Sequence, residues 1–370
     1  MQSKRTWAKC LLLVLPLGGS RALTVGPISG SPLRAIFSDI DGTLVHYAKD
    51  FEKHGVRLVT SDEEALTAIV EGPGGDRRAC RLLPSATMGP ACVSERTIEL
   101  VDSIRSHGVL FGVVTAARKS TMLKRWPLLP ECDVRVCEAG SRIWVGDRLD
   151  EEYATRFESV CGPIDREVEG AETRPEPLWR FYRQLRDEIP GLELDAKSYF
   201  GMFRARTRGN IAVDSALRAK IESALPADIS WATNLGHFDF YPSAAGKGEA
   251  VVYLQKKFGI TRSETACLFD DDNDLPMAKQ CGIQMLPGLT SESVEAAAAR
   301  HPSWQIAEAA GQGVFAIEEC LEAILQRVKG EQQQQVMADD IDEIMSQVEA
   351  KLLSEREYAK DEEEEEHPAR

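Results

Sequence analysis

Short apolar runs alternate with amphipathic helical segments in the first and last thirds of the chain. The runs at 33–37, 109–114 and 265–269 are apolar and end at polar side chains, which predicts buried strands. Segments such as 94–108 and 249–258 repeat apolar residues at helical spacing between these runs. Strands that alternate with helices predict an α/β fold with an open, mainly parallel sheet of the Rossmann type.

The middle of the chain, residues 150–242, has a different pattern. A helical stripe runs from Leu178 to Ile189, and residues 199–207 alternate like a strand. Residues 212–225 are predicted to be helical, and 229–233 with 237–241 to form a hairpin. We therefore expect a core from 33–149 and 243–328, with an α+β cap domain at 150–242 inserted into it. A module inserted at this point is placed to close over a site like a lid.

Three further segments lie outside this pattern. Residues 47–91 show few clean periodicities, and we interpret them as an excursion of hairpin or loop character. Residues 329–370 predict an amphipathic helix through Met337, Ile341, Ile344, Val348 and Leu352, followed by an acidic run at 361–366. This tail is a candidate segment for binding an unknown partner. A non-catalytic binding protein whose tail recruits that partner is therefore one alternative for the whole chain.

The N-terminal residues 1–22 resemble a targeting peptide. A basic start is followed by a short apolar stretch at 10–17 and a small-x-small pattern at Ser20 and Ala22. The stretch is too short for a stable membrane span. The pattern predicts entry into the secretory pathway or, as the first half of a bipartite signal, into a plastid. An N-terminal anchor or a disordered leader is the alternative.

The charge of the chain is concentrated at its C-terminal end. The formal net charge is −15, and residues 331–370 hold 14 of the acids and 4 of the bases, which leaves −5 for the rest. No basic patch is evident in the sequence, so nucleic acid is excluded as the expected substrate. Apolar residues make up 43% of the chain, an ordinary globular composition.

Polar side chains stand at the ends of three predicted strands. Asp39 and Asp41 follow the first, Thr115 the second, and Asp270 with Asp274 the last, with Lys247 shortly before it. Because the carboxyl ends of parallel strands meet at one sheet edge, we expect these groups to converge. Two close carboxylates repel unless a cation or a shared proton relieves them. The set suits phosphoryl transfer beside a Mg²⁺ ion, with a nucleophile, a proton donor and a cation for the phosphoryl oxygens.

Other interpretations of these residues are simpler. Asp39 taken alone is compatible with a helix N-cap, and Thr115 with a cap or core hydroxyl. The cluster at 270–274 does not fit an EF-hand loop, because Leu275 stands where the turn glycine is required. Lys247 lacks the spacing of a phosphate-binding P-loop. The order of all the motifs together favours the catalytic interpretation.

The motifs resemble those of the haloacid dehalogenase superfamily of phosphohydrolases, and most closely its Cof-type branch with a large α/β cap. The resemblance covers residues 33–46 and 92–328. It rests on Asp39-Ile-Asp-Gly-Thr43, Val113-Val-Thr-Ala-Ala-Arg118, Lys247-Gly248 and Phe269-Asp-Asp-Asp-Asn-Asp-Leu-Pro-Met277. The family often has Thr-Gly-Arg in the second motif and Gly in place of Phe269. The segment Glu138-Ala-Gly-Ser-Arg-Ile matches the family's Glu-Asn-Gly-x-x-Ile with Ala139 in place of Asn.

The resemblance implies a Mg²⁺-dependent phosphatase that acts on a small phosphomonoester, with a sugar phosphate as one candidate. Asp39 resembles the nucleophile that forms an aspartyl-phosphate, and Asp41 the general acid/base, its backbone carbonyl also reaching the metal. Thr115 and Lys247 would hold the phosphoryl group. Asp270, with Asp274 or Asn273, would complete the metal site, and Asn273 is also a candidate for binding substrate. A phosphomutase similar to phosphomannomutase is the enzymatic alternative.

Overall fold

The computed structural model describes residues 31–83, 89–234 and 236–365. The predicted targeting peptide at 1–22 lies outside these residues. The strands of the described residues form three sheets. They are β1 (Ala35–Ser38), β2 (His46–Tyr47), β3 (Arg57–Asp62), β4 (Thr67–Glu71), β5 (Arg77–Leu83), β6 (Ala91–Ser94), β7 (Leu110–Val114), β8 (Val134–Cys137), β9 (Arg142–Val145), β10 (Arg148–Leu149), β11 (Glu193–Asp195), β12 (Phe203–Arg206), β13 (Ile229–Asn234), β14 (His237–Pro242), β15 (Thr265–Leu268), β16 (Ile283–Leu286) and β17 (Gln305–Ile306).

The helices connect and cover these sheets. Ser94 caps the second helix, because its hydroxyl accepts a hydrogen bond from the Thr97 N–H at 2.9 Å, as the sequence predicts. The helices are α1 (Ala48–Phe51), α2 (Glu95–Ser106), α3 (Lys119–Arg125), α4 (Glu151–Thr155), α5 (Glu158–Cys161), α6 (Pro177–Glu188), α7 (Ile211–Ala224), α8 (Lys247–Phe258), α9 (Leu275–Gln280), α10 (Glu292–Arg300) and α11 (Val314–Glu365).

The core is an eight-stranded sheet in the order β10-β9-β8-β7-β1-β15-β16-β17. Six neighbouring strands of this sheet pair in parallel, in the order β8-β7-β1-β15-β16-β17. The strands β9 and β10 add an antiparallel edge beside β8. β1 lies between β7 and β15, and its four residues are buried. This arrangement explains the continuous apolar runs, because both faces of a parallel sheet are covered. The predicted α/β fold with a Rossmann-like core and an inserted α+β cap is confirmed.

The cap is built on an antiparallel sheet in the order β11-β12-β14-β13, with α6 and α7 nearby in the chain. The predicted strand at 199–207 is too long, because only Phe203–Arg206 pairs in the sheet. The backbone N–H groups of Phe200 and Gly201 leave the sheet and donate to the buried carboxylate of Glu138, at 2.9 and 3.2 Å. The contact with the core at Phe200 and Gly201 therefore directly precedes β12 in the chain.

The excursion after β1 is neither a simple hairpin nor a loop. Five strands between His46 and Ser94 form an antiparallel sheet in the order β2-β6-β5-β4-β3, which we call the insertion sheet. It has its own apolar cluster, which includes Phe51, Val70 and Leu82. The sequence prediction was incomplete because β3 is almost wholly exposed, so its residues carry no apolar alternation.

The last helix is longer than the sequence predicts. A core helix at 316–328 and a separate tail helix were expected, but α11 runs without interruption from Val314 to Glu365. A single glycine, Gly330, costs only about 1 kcal/mol inside a helix and does not break it. Glu331 accepts a hydrogen bond from the Leu33 N–H at 2.8 Å, and beyond it the described side chains are exposed. Among the described helices, none combines the length and the apolar character needed to span a membrane.

Candidate active site

The turn that follows β1 brings Asp39 and Asp41 to the edge of the core sheet. The Asp39 N–H donates to the Leu268 carbonyl at 2.9 Å, which joins this turn to the end of β15. Gly42 adopts a φ of +97°, and a Cβ there would lie 2.2 Å from Asp270 Oδ2. Glycine is therefore required at this position both by the backbone conformation and by the approach of Asp270.

Three buried carboxylates meet at this edge. Oxygen atoms of Asp39, Asp270 and Asp274 all lie within 4.8 Å of one another. The Thr43 hydroxyl donates to Asp270 Oδ1 at 2.6 Å, which fixes one oxygen of that carboxylate. Asp270 Oδ2 is buried and has no hydrogen-bond partner among the described residues.

Lys247 at the start of α8 provides one positive charge for this group. Its ammonium donates to Asp39 Oδ1 at 2.6 Å, to Asp274 Oδ1 at 2.5 Å and to Asn273 Oδ1 at 3.3 Å. Burial opposes the charge of Lys247, but Asp274 and Asp39 outweigh it and raise the pKa of the ammonium. Lys247 is thus held as a cation between two of the sequence-predicted acids.

One ammonium does not balance three buried carboxylates. Burial, opposed by the charge of Lys247 and reinforced by the carboxylate of Asp274, raises the pKa of Asp39 to about 8. Burial and the charge of Asp39 also raise the pKa of Asp270 well above its usual range. A divalent cation that prefers oxygen ligands would remove this imbalance and would use the unpartnered Asp270 Oδ2. The residues present therefore fit a hard divalent cation.

Asp41 lies apart from the buried carboxylates. Its Oδ1 accepts hydrogen bonds from the Tyr47 hydroxyl at 2.5 Å and from Arg125 Nη1 at 2.6 Å, and Arg125 Nη2 also donates to the Tyr47 oxygen at 2.9 Å. No motif in the sequence points to these two partners, since Tyr47 lies on β2 and Arg125 at the end of α3. The carboxylate of Asp41 is thus oriented by a buried arginine and a tyrosine, while the metal contact expected through its backbone carbonyl stays a prediction.

Thr115 stands at the end of β7, next to β1. Its backbone N–H donates to the Val136 carbonyl at 2.9 Å, and its hydroxyl accepts from the Ala117 N–H at 3.1 Å. Thr115 and Asp39 line the same cavity, as expected from adjacent parallel strands. All seven sequence-predicted site residues therefore lie at one edge of the core sheet or in contact with each other there, whereas the roles assigned to them stay predictions.

The cavity above this edge has a volume of about 1370 Å³ and is lined by three parts of the chain. The core contributes Asp39, Asp41, Thr115 and Asn273 to its wall. The cap contributes side chains of β12 and β14, and the insertion sheet contributes residues that include Tyr47, Glu63 and Leu82. A cap over the site was expected from the sequence, but the part of the cavity wall that the insertion sheet forms was not.

Two contacts connect the core to the cap beside the cavity. Arg118 donates to Asp195 Oδ2 at 2.5 Å and to the Lys197 carbonyl at 3.1 Å, and its guanidinium lies 4.8 Å from the centre of the Tyr199 ring. Glu138, paired with buried Arg142 at 3.3 Å, binds the cap backbone at Phe200 and Gly201. The second motif and the Glu138 motif thus have a structural role at the junction with the cap.

The fold and site define an α/β protein with a carboxylate-rich site at the edge of a parallel sheet, beneath an inserted cap. Residues 195–305 match the model of a family described as haloacid dehalogenase-like hydrolase. This match confirms the resemblance to that family over these residues, which include part of the cap and the C-terminal part of the core.

Similar folds occur in solved structures of low sequence identity. One is the sucrose-phosphatase of Synechocystis sp. PCC6803, solved with sucrose and phosphate, with 13% identity, coverage of 79% of this chain and 99% of that chain, and a TM-score of 0.50. Another is a haloacid dehalogenase-like hydrolase protein of Bacillus subtilis, with 17% identity, coverage of 82% and 95%, and a TM-score of 0.45. Comparison with curated protein sequences returns no match.

Proposed function

We propose that the protein is a Mg²⁺-dependent phosphatase that hydrolyses a small phosphomonoester through an aspartyl-phosphate on Asp39. The observation that carries this proposal is the buried group of Asp39, Asp270, Asp274 and Lys247 at the wall of a large cavity. A sugar phosphate is the first substrate class to test. The Synechocystis protein of similar fold is a sucrose-phosphatase, which supports that choice.

The proposed reaction uses each oriented group in turn. A carboxylate oxygen of Asp39 attacks phosphorus, the bond from phosphorus to the leaving oxygen breaks, and Asp41 donates a proton to that oxygen. Water then attacks the phosphorus of the aspartyl-phosphate, Asp41 takes a proton from the water, and inorganic phosphate is released with Asp39 restored. Thr115 and Lys247 orient the phosphoryl oxygens, and the cap excludes bulk water.

Mg²⁺ would be held by Asp39, Asp270 and Asp274, together with the backbone carbonyl of Asp41, and would supply positive charge for the phosphoryl oxygens. Asp39 and Asp274 also contact Lys247, so the ammonium and the ion would share the charge of the same carboxylates. Asn273, which accepts from Lys247 at 3.3 Å, lines the cavity and is proposed to contact substrate.

The first experiment measures phosphate release from nitrophenyl phosphate with and without Mg²⁺. We expect activity that depends on Mg²⁺ and is lost in Asp39→Asn. Asp187→Asn, which changes an exposed carboxylate on α6, is the matched control and should retain activity. Full activity in Asp39→Asn would remove the proposed mechanism. A phosphomutase would instead interconvert phosphate isomers without net release of phosphate, which chromatography of the products detects.

We also propose that residues 1–22 direct the protein to the secretory pathway or to a plastid. A fluorescent protein fused behind these residues, compared with the same fusion without them, tests this by its location in a plastid-bearing cell. Uniform cytosolic fluorescence of both fusions would contradict the proposal.

A further inference from the structure

Several arginine and lysine side chains of the core and the cap line this cavity, although the chain as a whole carries a net charge of −15. These side chains come from α3, from the loop before it and from the cap sheet. We call Arg118, Lys124, Lys197 and Arg206 the basic wall. All four line the cavity that also contains Asp39 and Thr115.

Arg118 of the core joins two arginines of the cap, Arg206 and Arg208, in pairing with only two carboxylates. Asp195 Oδ2 accepts from both Arg118 Nη2, at 2.5 Å, and Arg206 Nη2, at 2.9 Å. Glu193 accepts from Arg206 at 2.9 Å and from Arg208 at 2.7 Å. Three guanidinium groups thus share two carboxylates, so one positive charge remains in excess at this wall.

A nearby acid does not cancel this excess. Asp239 is used by Arg204, which donates to its two oxygens at 2.6 and 2.7 Å, and Asn234 donates to the same carboxylate at 3.0 Å. His237 is exposed to the resulting field: burial and the charges of Arg204 and Arg206 lower the pKa of its imidazole. Asp239 therefore does not offset the excess positive charge of Arg118, Arg206 and Arg208.

Two lysines of the cavity wall add to the excess, one from the core and one from the cap. Lys124 lies on α3 of the core, and Lys197 follows β11 in the cap. Within the described part of the chain, neither ammonium has a carboxylate within ion-pair distance. Both are solvated in this state and available to a ligand that enters the cavity.

We propose that the natural substrate carries a second anionic group, a carboxylate or another phosphate, on the leaving group that departs from the phosphoryl group. This inference rests on the proposed phosphatase function and specifies the substrate class. A neutral sugar leaving group would leave the excess charge of the basic wall uncompensated when the cap excludes water. A second anion would receive charged hydrogen bonds there, which are about twice as strong as neutral ones. A cavity of about 1370 Å³ accommodates a hexose-sized molecule with a charged group at each end.

The test compares two substrates that differ in one group. Sorbitol 6-phosphate and 6-phosphogluconate have the same carbon chain, and the alcohol at the far end of the first is a carboxylate in the second. We expect kcat/KM of the full-length protein with Mg²⁺ to be at least about tenfold higher for 6-phosphogluconate, the gain from one charged hydrogen bond. Glucose 1,6-bisphosphate compared with glucose 6-phosphate separates a preference for phosphate from one for carboxylate.

Variants that remove one positive charge test whether the basic wall causes the preference for the second anion. Lys197→Gln and Arg206→Gln are each expected to reduce the ratio of the two kcat/KM values about tenfold. Arg186→Gln, which removes a cation from α6 outside the cavity, should leave the ratio unchanged. A ratio at or below one for both pairs in the unmodified protein would overturn the proposal. Equal ratios in Lys197→Gln, Arg206→Gln and the unmodified protein would also overturn it.

A failure of the phosphatase proposal is distinguishable from a failure of this one. If the protein hydrolyses neither nitrophenyl phosphate nor any of the four ligands, the phosphatase proposal fails. Calorimetric titration of the full-length protein with sorbitol 6-phosphate and 6-phosphogluconate then still measures the ratio of the two Kd values. About tenfold tighter binding of 6-phosphogluconate, lost in Lys197→Gln, would support the basic wall as an anion site. Equal Kd values would overturn it.

Discussion

The hydrogen bonds from Arg125 and Tyr47 to Asp41 predict a specific defect in proton transfer. Arg125 is 5% exposed, and its guanidinium donates to Asp41 and to the Tyr47 oxygen. In the proposed reaction Asp41 must present its proton to the leaving oxygen, so its orientation matters in the transition state. Arg125→Met keeps an unbranched apolar stem but removes the hydrogen bonds to Asp41 and Tyr47.

The size of the effect follows from the contacts that are lost. A hydrogen bond between charged groups contributes about 1.5 to 3 kcal/mol, which corresponds to about 10- to 100-fold in rate if the transition state bears the whole loss. General acid catalysis as a whole contributes about 10²- to 10⁴-fold to the rate. The loss of rate in Asp41→Asn is therefore the upper limit for the loss in Arg125→Met. Tyr47→Phe removes one of the hydrogen bonds to Asp41, and the loss of rate in this variant should be smaller than the loss in Arg125→Met.

The assay compares two leaving groups. An alkyl phosphate needs a proton on its leaving oxygen, whereas nitrophenolate departs without one. We expect Arg125→Met to reduce kcat for the alkyl phosphate by about 10- to 100-fold and kcat for nitrophenyl phosphate far less. The ratio of the two kcat values is therefore the readout, because a loss of folded protein lowers both equally.

Arg105→Met is the matched control. Arg105 is also a helical arginine that binds a carboxylate, Asp133, at 2.8 and 3.2 Å, but it lies outside the cavity wall. Its replacement should leave the ratio unchanged. Equal decreases for both substrates in Arg125→Met would refute the reasoning and would leave Arg125 with a purely structural role.

Three further predictions concern stability and the tail. Gly42→Ala should lower both the free energy of unfolding, by at least about 1–2 kcal/mol, and the Mg²⁺-dependent activity, because its φ is +97° and a Cβ would meet Asp270. Urea unfolding and the phosphate assay test this, and unchanged values in both would contradict it. Burial lowers the pKa of His46 to about 4, so the unfolded state binds more protons between about pH 4 and 6.5, and stability falls as the pH falls through that window. The loss between pH 7 and 5 should be about 2 kcal/mol smaller in His46→Gln, and an identical pH dependence in both proteins would exclude this cause. Deletion of residues 334–370 should change the free energy of unfolding by less than about 0.5 kcal/mol, because the described side chains there are exposed. A larger loss would mean that the tail supports the core, and light scattering of both forms would reveal any complex that the tail recruits.

Local sequence is sufficient to predict an element whose burial shows in its own residues. The apolar runs of β1, β7 and β15 are four or five residues long and largely buried on both faces, so their position and type are evident from composition alone. The polar residues that follow them were correctly expected at one sheet edge, since parallel neighbours share the direction of their ends. Asp39, Thr115 and Asp270 are therefore placed by local pattern and a topological rule.

The sequence analysis was incomplete where burial depends on distant segments. The exposed β3 shows no alternation until it is paired with β4, and so the insertion sheet was expected only as a hairpin or loop. Residues 199–202 have the composition of a strand. The backbone N–H of Phe200, however, donates a hydrogen bond to the carboxylate of Glu138, which lies 62 positions away in the sequence. The tail was expected to begin at residue 329, yet α11 continues through this point, where Glu331 contacts Arg327 and Leu33.

The residue types, their order and the ends of the strands are properties of the local chain, and they suffice to indicate an acidic site on a parallel sheet. The contact of Arg125 with Asp41 spans 84 positions and that of Arg118 with Asp195 spans 77, and the third side of the cavity comes from a separate sheet. No periodicity in the sequence encodes such contacts. They depend on how the insertion sheet and the cap pack above the core, because hydrogen bonds and ion pairs form only between groups that the whole fold brings within a few ångströms.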